Sequence, residues 1–314
     1  MRIAVYGAGG VGGYYGGRLA QAGHDVTLIA RGDHLDAVRE DGLTVESEAG
    51  DFHVSLPATD DPDDIDPVDV VLFCVKSFDT EDAASHLDSL LKPDGAVLSL
   101  QNGVDNEDVL AERVGIDRVW GGVTYIFSTI AEPGVVEHTG GPAHVIFGQY
   151  HEPGTERPDR SALAAEFLDA CEDADGMSAK YTENVHGTLW DKFALICAQA
   201  GLTAASRQPL GRIRENDASW GLYRQVLEEV VAVGHAEGVR FDWDPVGKWV
   251  DGMSEGGDDN YSSLHYDLTH GKRMELDALH GSAVRRARDH DVPVPATRAV
   301  YAVLAPQADA NARE

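Results

Sequence analysis

With 314 residues and 43% hydrophobic content, the chain can build about two domains of the usual ~100–200 residues, each with its own core. Its formal net charge of −29 argues against nucleic acid or an anionic membrane as partner, because so negative a field repels polyanions. No stretch approaches the ~20 apolar residues of a membrane span, and only six of the 25 basic residues are lysines, a carboxylate-rich surface that predicts adaptation to high salt.

The N-terminus reads directly as a strand, with no basic, apolar and cleavage regions of a leader, so a cytoplasmic protein is expected. Arg2–Tyr6 is the first strand, a glycine-rich turn follows, and Tyr14–Ala22 has a helical pattern. Asp25–Ala30 is a second strand and His34–Glu40 a short helix, with Asp33 as its N-cap. Leu43–Glu48 and Phe52–Leu56 predict a small hairpin. Val68–Val75 is apolar almost throughout, as a buried parallel strand should be. Ala96–Leu100 is a strand, Asn106–Arg113 a helix, and Val119–Ile130, Gly134–His138 and His144–Phe147 are further strands, some antiparallel. A helix over Arg160–Cys171 closes this half.

From about residue 184 the strand signal fades. Asn184–Ala200, Trp220–Glu237, Pro245–Met253, Ser262–Leu268 and Leu276–His290 carry helical patterns. The predicted fold class is therefore α/β, a Rossmann-type dinucleotide-binding domain over residues 1–183 followed by an all-α-helical domain over 184–314. The three cysteines, Cys74, Cys171 and Cys197, lack metal or disulfide spacing and read as core thiols of a reducing compartment. The acidic runs Asp60–Asp66 and Gly256–Asp259 lack the EF-hand pattern and read as solvated loops. The Arg285–Arg288 cluster is expected to pair with carboxylates on a helix face.

The sharpest local signal is Gly7-Ala8-Gly9-Gly10-Val11-Gly12, a G-x-G-x-x-G run between the first strand and the first helix. Gly7 permits the tight turn, Gly9 lets the backbone approach a pyrophosphate, and Gly12 allows close helix–sheet packing. The helix N-terminus then offers N–H groups to the phosphates. An ordinary strand–helix turn explains neither the spacing nor the context. An NAD site places Asp or Glu at the end of the second strand, but here Leu28-Ile-Ala is followed by Arg31. A planar guanidinium suits a 2′-phosphate, which favours NADPH/NADP⁺, and a plain surface arginine is the alternative.

Two other strand ends carry polar residues, Lys76 after Cys74-Val75 and Asn102-Gly103 after Leu98-Ser-Leu-Gln. Asn-Gly is also a common turn pair, so both readings stay open there. In the second half, Val185, Leu189, Lys192, Phe193 and Ile196 share one helical stripe with the lysine at its centre. A lysine so placed either loses hydration and becomes a proton donor near neutral pH, or packs its stem and extends its head to water.

Taken together, Gly7–Gly12, Val75-Lys76, Gln101-Asn102-Gly103, Leu189-Trp-Asp-Lys192-Phe, Leu202-Thr-Ala, Ser262-Ser263-Leu with Asp267, and Glu275-Leu-Asp277 with Gly281 resemble the ketopantoate reductases in order and over nearly the whole chain. The resemblance implies a Rossmann domain and a helical domain with the active site in the cleft between them, and NADPH-dependent reduction of 2-dehydropantoate to pantoate on the way to coenzyme A. It implies that Lys192 polarises the ketone and delivers the proton, that Asn102 lies near nicotinamide and carbonyl, and that Lys76 orients both. Ser263 and Asn260 match substrate-binding positions. Glu275 matches the glutamate that holds the substrate hydroxyl, and Lys76, Asn102 and Glu275 also reach the cofactor. A small 2-oxo acid is the implied partner, with a homodimer as a candidate assembly. Two positions depart from the family, Ile196 and Ala200, where asparagines four and eight residues after the lysine usually contact substrate; Gln199, one residue away, is a candidate substitute that helical geometry points differently. The departures admit a reductase of another 2-oxo acid, and a non-enzymatic NADPH-binding sensor is the reading of a different class.

Overall fold

In the computed structural model, which describes residues 1–152, 161–254 and 258–313, the chain forms two compact units. The first comprises 1–101, 106–151 and 161–185; the second comprises Asn102–Asp105, Glu152 and 186–313. Two expected features fall partly outside the described residues, the start of the helix at Arg160 and the Gly256-Gly257 end of the second acidic run.

The first unit runs β1 (Arg2–Tyr6), α1 (Gly10–Gln21), β2 (Asp25–Ile29), α2 (Gly32–Asp41), β3 (Leu43–Ser47), β4 (Phe52–Val54), β5 (Ala58–Thr59), β6 (Val68–Phe73), α3 (Thr80–Ala84), α4 (Leu87–Leu90), β7 (Leu91–Ser99), α5 (Asn106–Val114), β8 (Val119–Glu132), β9 (Val135–Gln149), α6 (Ala162–Glu172) and β10 (Ser178–Tyr181). Its strands join one sheet in the order β4-β3-β9-β8-β7-β6-β1-β2-β5, with β10 on β9. β1 pairs in parallel with β2 on one side and β6 on the other, so the chain direction across the sheet reverses beside β1. In open α/β sheets that reversal is where ligands bind, beyond the carboxyl ends of the strands.

The core follows from the apolar strands. Val5, Leu28, Val70 and Leu72 are fully or almost fully buried, and α1 covers them with Tyr15 and Leu19. Farther along, Phe167 of α6 meets Trp120 and Phe147, with ring centroids 5.9 and 5.3 Å away.

The hairpin of β3 and β4 forms as expected, with Val45 opposite Phe52. Gly134–His138 and His144–Phe147 were expected as separate strands but lie in one strand, β9, antiparallel to β8. Glycine supplies positive φ at Gly140 and Gly141, where the pairing register slips, and the strand continues past the kink. The helix expected from His34 begins at Gly32. Arg31 holds its N-cap position, and Asp33, expected as the cap, lies inside the first turn, where a carboxylate still complements the helix dipole.

The second unit contains α7 (Val185–Ser206), α8 (Leu210–Arg214), α9 (Asp217–Ala236), α10 (Pro245–Gly252), α11 (Ser263–Thr269), α12 (Ser282–Asp289) and α13 (Pro295–Asn311), with a π-helical turn over Asp277–Gly281 ahead of α12. The single helix expected over Leu276–His290 is thus two pieces. α13 has no N-capping side chain of its own. Instead the buried Glu229 of α9 accepts hydrogen bonds from Ala296 N (2.9 Å), Thr297 N (2.8 Å) and Thr297 Oγ1 (2.8 Å). Leaving such buried donors unmade costs about 1–3 kcal/mol each, so α9 and α13 stabilise one another.

The three cysteines are free thiols. Burial pushes Cys74 and Cys171 up to about 12, so neither is a thiolate near neutral pH. The arginine cluster meets carboxylates, Arg285 at Asp277 (2.9 Å) and Arg286 at Asp105 (2.8 Å) and Glu237 (3.1 Å). In the first acidic run, Asp61 caps a short 3₁₀ turn over Pro62–Asp64. Among the described residues no His, Cys, Asp and Glu group has the arrangement of a metal site, and no helix is long and apolar enough to cross a membrane.

Candidate active site

The glycine turn is built by crowding on one side and openness on the other. Gly7 has φ +93°, and a Cβ there would lie 2.8 Å from Val75 N, so the turn needs glycine both for its backbone and for the passage of the chain after β6. A Cβ on Gly12 would come within 2.3 Å of Gly7 O and 2.9 Å of Val5 Cγ1, which confirms its packing role. A Cβ on Gly9 would meet nothing within 4 Å, so the backbone there is open to a close-approaching group. Gly7 and Ala8 direct their N–H groups back to Ile29 O (3.1 and 3.0 Å) and lock the loop onto β2. Gly9 is the N-cap of α1 without a capping side chain, and Gly10 and the half-buried Val11 begin the helix. The first-turn N–H groups have no carbonyl inside the helix to accept them, which is what a phosphate needs. These residues therefore fit a dinucleotide. Gly10 has an unexpected reason of its own, since a Cβ would sit 2.3 Å from Ser128 O of β8.

Beside this turn is a cavity of about 240 Å³ lined by Gly7, Gly9, Arg31, His34, Lys76 and Ile130, among others. Arg31 is exposed, at the end of β2 where the sequence placed a 2′-phosphate donor, and its charge reaches Tyr6 at the end of β1. Lys76 is exposed at the N-cap of a 3₁₀ turn, Ser77–Asp79, with extended backbone. Its loop is braced by Gln101, a buried residue to which sequence reasoning assigned no role. Gln101 Nε2 donates to Val75 O (2.9 Å) and Thr80 Oγ1 (2.7 Å), tying the end of β7 to the chain after β6. His34 accepts from Gly134 N at Nδ1 (3.1 Å) and holds α2 to the β8–β9 turn. A larger hollow of about 370 Å³, lined by Arg2, Asp25, Arg39 and Asp66, lies at the amino ends of β1 and β2, the wrong end of the sheet for a ligand.

In the second unit Lys192 is 9% exposed, near the middle of α7. The expected stripe understates its surroundings: every residue from Asn184 to Leu195 is buried, on all sides of the helix. Burial disfavours the charged form and pulls the ammonium down to about 8, while the Glu275 carboxylate partly offsets that by attracting the charge. Glu275 is itself buried. The burial of both groups favours the dehydrated reading of Lys192 over one with its head extended into open water.

Two features hold this pair. Asp191, next to Lys192, is 1% exposed and accepts from Trp243 Nε1 (2.8 Å), Trp249 Nε1 (3.0 Å) and Lys248 Nζ (2.5 Å), pinning α7 to α10. Lys248 also lies 4.2 Å from the Trp249 ring centroid. The π turn just after Glu275 is pinned to α7 by His280, whose Nε2 donates to Cys197 O (2.8 Å). Burial pulls His280 down to about 4, so it is neutral there. Gly201 makes room for the ring, since a Cβ would lie 2.4 Å from His280 Nε2. Asp191 lies within the family-like run Leu189-Trp-Asp-Lys192-Phe but was given no role there, and nothing local in the sequence signalled the π turn.

Asn102 is half-buried before Gly103 (φ +112°), and its segment clusters with this second unit. Asn260 is half-buried, and its carbonyl accepts from Leu210 N (3.0 Å). Ser263 is exposed as the first residue of α11; the neighbouring Ser262 does the capping, accepting from His265 N (3.1 Å) and meeting Thr203 Oγ1 at 2.8 Å. Ile196 and Gln199 are half-buried and Ala200 buried on the continuous α7. At 3.6 residues per turn Gln199 falls ~100° round the helix from Ala200, a different direction as expected, and ~20° from Lys192. The structure thus brings the glycine turn, Arg31 and Lys76 to one cavity of the first unit, and places Lys192, Glu275, Asn102, Asn260 and Ser263 in the second.

Comparison with known proteins gives two family matches, "Ketopantoate reductase PanE/ApbA" over residues 3–152 and its C-terminal domain over 184–308. A 2-dehydropantoate 2-reductase of Halobacterium salinarum is 36% identical over 301 residues, covering 95% of this chain and 96% of the relative. A crystal structure of a PanE/ApbA family ketopantoate reductase from Ralstonia eutropha JMP134 superposes with TM-score 0.89 at 37% identity, over 99% of this chain and 100% of that one. A D-mandelate dehydrogenase shares the fold, with TM-score 0.87 at 23% identity over 99% and 100% of the two chains.

Proposed function

The chain belongs to the ketopantoate reductase PanE/ApbA family, and from that premise we propose that it reduces 2-dehydropantoate to pantoate with NADPH. The observation that carries the proposal is the buried Lys192 ammonium, drawn down to about 8 with the Glu275 charge acting on it. When bound, the nicotinamide supplies the hydride for the ketone carbon. The reaction develops negative charge on the ketone oxygen, and Lys192 stabilises that charge and then gives up its proton. An ordinary lysine near 10.4 holds its proton too firmly for this; burial makes the transfer easier. Glu275 accepts a hydrogen bond from the substrate hydroxyl, Ser263 and Asn260 bind substrate, and Asn102 and Lys76 orient ketone and cofactor. Gly7–Gly12 receive the pyrophosphate, and Arg31 selects the 2′-phosphate.

Gln199 supplies the polar group on the lysine's face of α7 that Ile196 and Ala200 lack. Ile196, half-buried one turn after Lys192, favours the second reading, a 2-oxo acid with a more apolar tail. The net charge of −29 supports function in a salt-rich cytoplasm, where screening relieves self-repulsion. Steady-state NADPH oxidation tests these points together. Ketopantoate is expected to exceed 2-oxo acids lacking the 4-hydroxyl by about 10- to 100-fold in kcat/KM, the worth of one hydrogen bond to a carboxylate, with rates higher in molar KCl than in dilute buffer. Equal turnover of both acids would remove ketopantoate as the substrate, and turnover of none would leave the cofactor-binding sensor. Higher rates at low salt would remove the salt adaptation.

A further inference from the structure

Asn102 sits on a segment that the second unit holds by an unusually dense contact. Asp105 Oδ1 accepts from Ser282 Oγ (2.8 Å) and Arg286 Nε (2.9 Å), with Arg286 Nη2 at 2.8 Å as well. Arg286 Nη2 also reaches Val104 O (3.4 Å), and Gly103 and Val104 are buried. The same guanidinium meets Glu237 Oε2 at 3.1 Å, at the end of α9, and stands 6.0 Å from the ring centroid of Trp190, two residues before Lys192 on α7. Arg286 is thus the common neighbour of the Asn102 segment and of the helix that carries the lysine. A three-donor, charge-assisted grip fixes geometry in a way that a single exposed ion pair does not.

We propose that Asp105 is a positioning residue for the reaction: its ion pair with Arg286 holds the Asn102–Asp105 segment so that the Asn102 amide keeps its place relative to Lys192. The proposal rests on the roles given above to Asn102 and Lys192. Reduction is sensitive to small misplacements of an orienting group, about 100-fold for an ångström, whereas the glycine-turn cavity involves none of these residues. Gly103, with φ +112°, is a left-handed joint directly after Asn102.

A double-mutant cycle with ketopantoate and NADPH tests this. Asp105→Asn keeps the shape and removes the charge; it is expected to lower kcat about 10- to 100-fold and to weaken NADPH binding far less than that, because the glycine turn, Arg31 and Lys76 line a cavity of the first unit. In an Asn102→Ala background the same change is expected to cost less than twofold further, because its effect passes through Asn102. Ser282→Ala, which removes only the neutral donor, is expected to give a smaller loss with the same dependence on Asn102, and it serves if Asp105→Asn shows no cooperative melting. Wild-type kcat in Asp105→Asn, or an equal loss in both backgrounds, would overturn the proposal. Full activity of Asn102→Ala would instead defeat the role of Asn102 itself, and an inactive wild type would defeat the reductase reading; both are seen in separate arms of the cycle.

Discussion

Lys192→Ala is expected to lower kcat for ketone reduction by about 10³-fold while NADPH binds as before. The size follows from losing two contributions at once, the cation facing the developing alkoxide and the proton that completes the alcohol. Cofactor affinity is spared because the glycine turn, Arg31 and Lys76 line a cavity within the first unit. The thermal midpoint separates this outcome from misfolding. Removing the ammonium relieves its own desolvation but leaves the buried Glu275 carboxylate without its neighbouring cation, so a modest fall in Tm with a cooperative transition is expected. Lys192→Met, which keeps the volume, is the cleaner variant for the melt. Steady-state rates, a fluorescence titration with NADPH and a melting curve make the comparison. Loss of activity accompanied by a collapse of Tm would point to packing rather than chemistry.

Arg31→Ala is expected to reduce kcat/KM with NADPH by about 10- to 100-fold and to change the value with NADH by no more than a few-fold. Arg31 projects from the N-cap of α2 at the mouth of the cavity, and no carboxylate stands at the end of β2 to hold a ribose 2′-hydroxyl. A bidentate guanidinium–phosphate contact contributes about 1.5–3 kcal/mol, and only NADPH carries the phosphate. Asp33, within the first turn of α2 rather than capping it, lies two residues farther on. If it held the ribose of NADH, Arg31→Ala would leave NADH turnover high and Asp33→Ala would reduce it. An unchanged NADPH-to-NADH ratio in Arg31→Ala would remove the arginine from cofactor selection.

The glycine turn was legible because each requirement is local. A left-handed Gly7 and a close Gly12 are demanded by a strand, a turn and a helix within a few residues. Gly10 was not, since its reason is Ser128 on a strand more than a hundred residues later. β5 and β10 escaped notice because two and four residues give too little alternation to register. α13 is long, with Pro295 as a start signal, but its cap comes from Glu229 on another helix and Pro306 interrupts its pattern. Lys192 stood out as a lysine among apolar residues, yet its burial on all sides of the helix belongs to tertiary packing. Asp191 reads as an ordinary helix-surface carboxylate until Trp243, Lys248 and Trp249 close on it.

The pH dependence of kcat for ketopantoate, measured with saturating NADPH, tests the central claim most directly. The reaction needs the ammonium form of Lys192, and burial brings that group to about 8, so kcat is expected to fall as pH rises through that value. Lys192→Arg, whose guanidinium stays charged at every accessible pH, should be slower and lack the limb. A wild-type profile flat to pH 10, or the same limb retained in Lys192→Arg, would contradict a buried lysine acting as the proton donor.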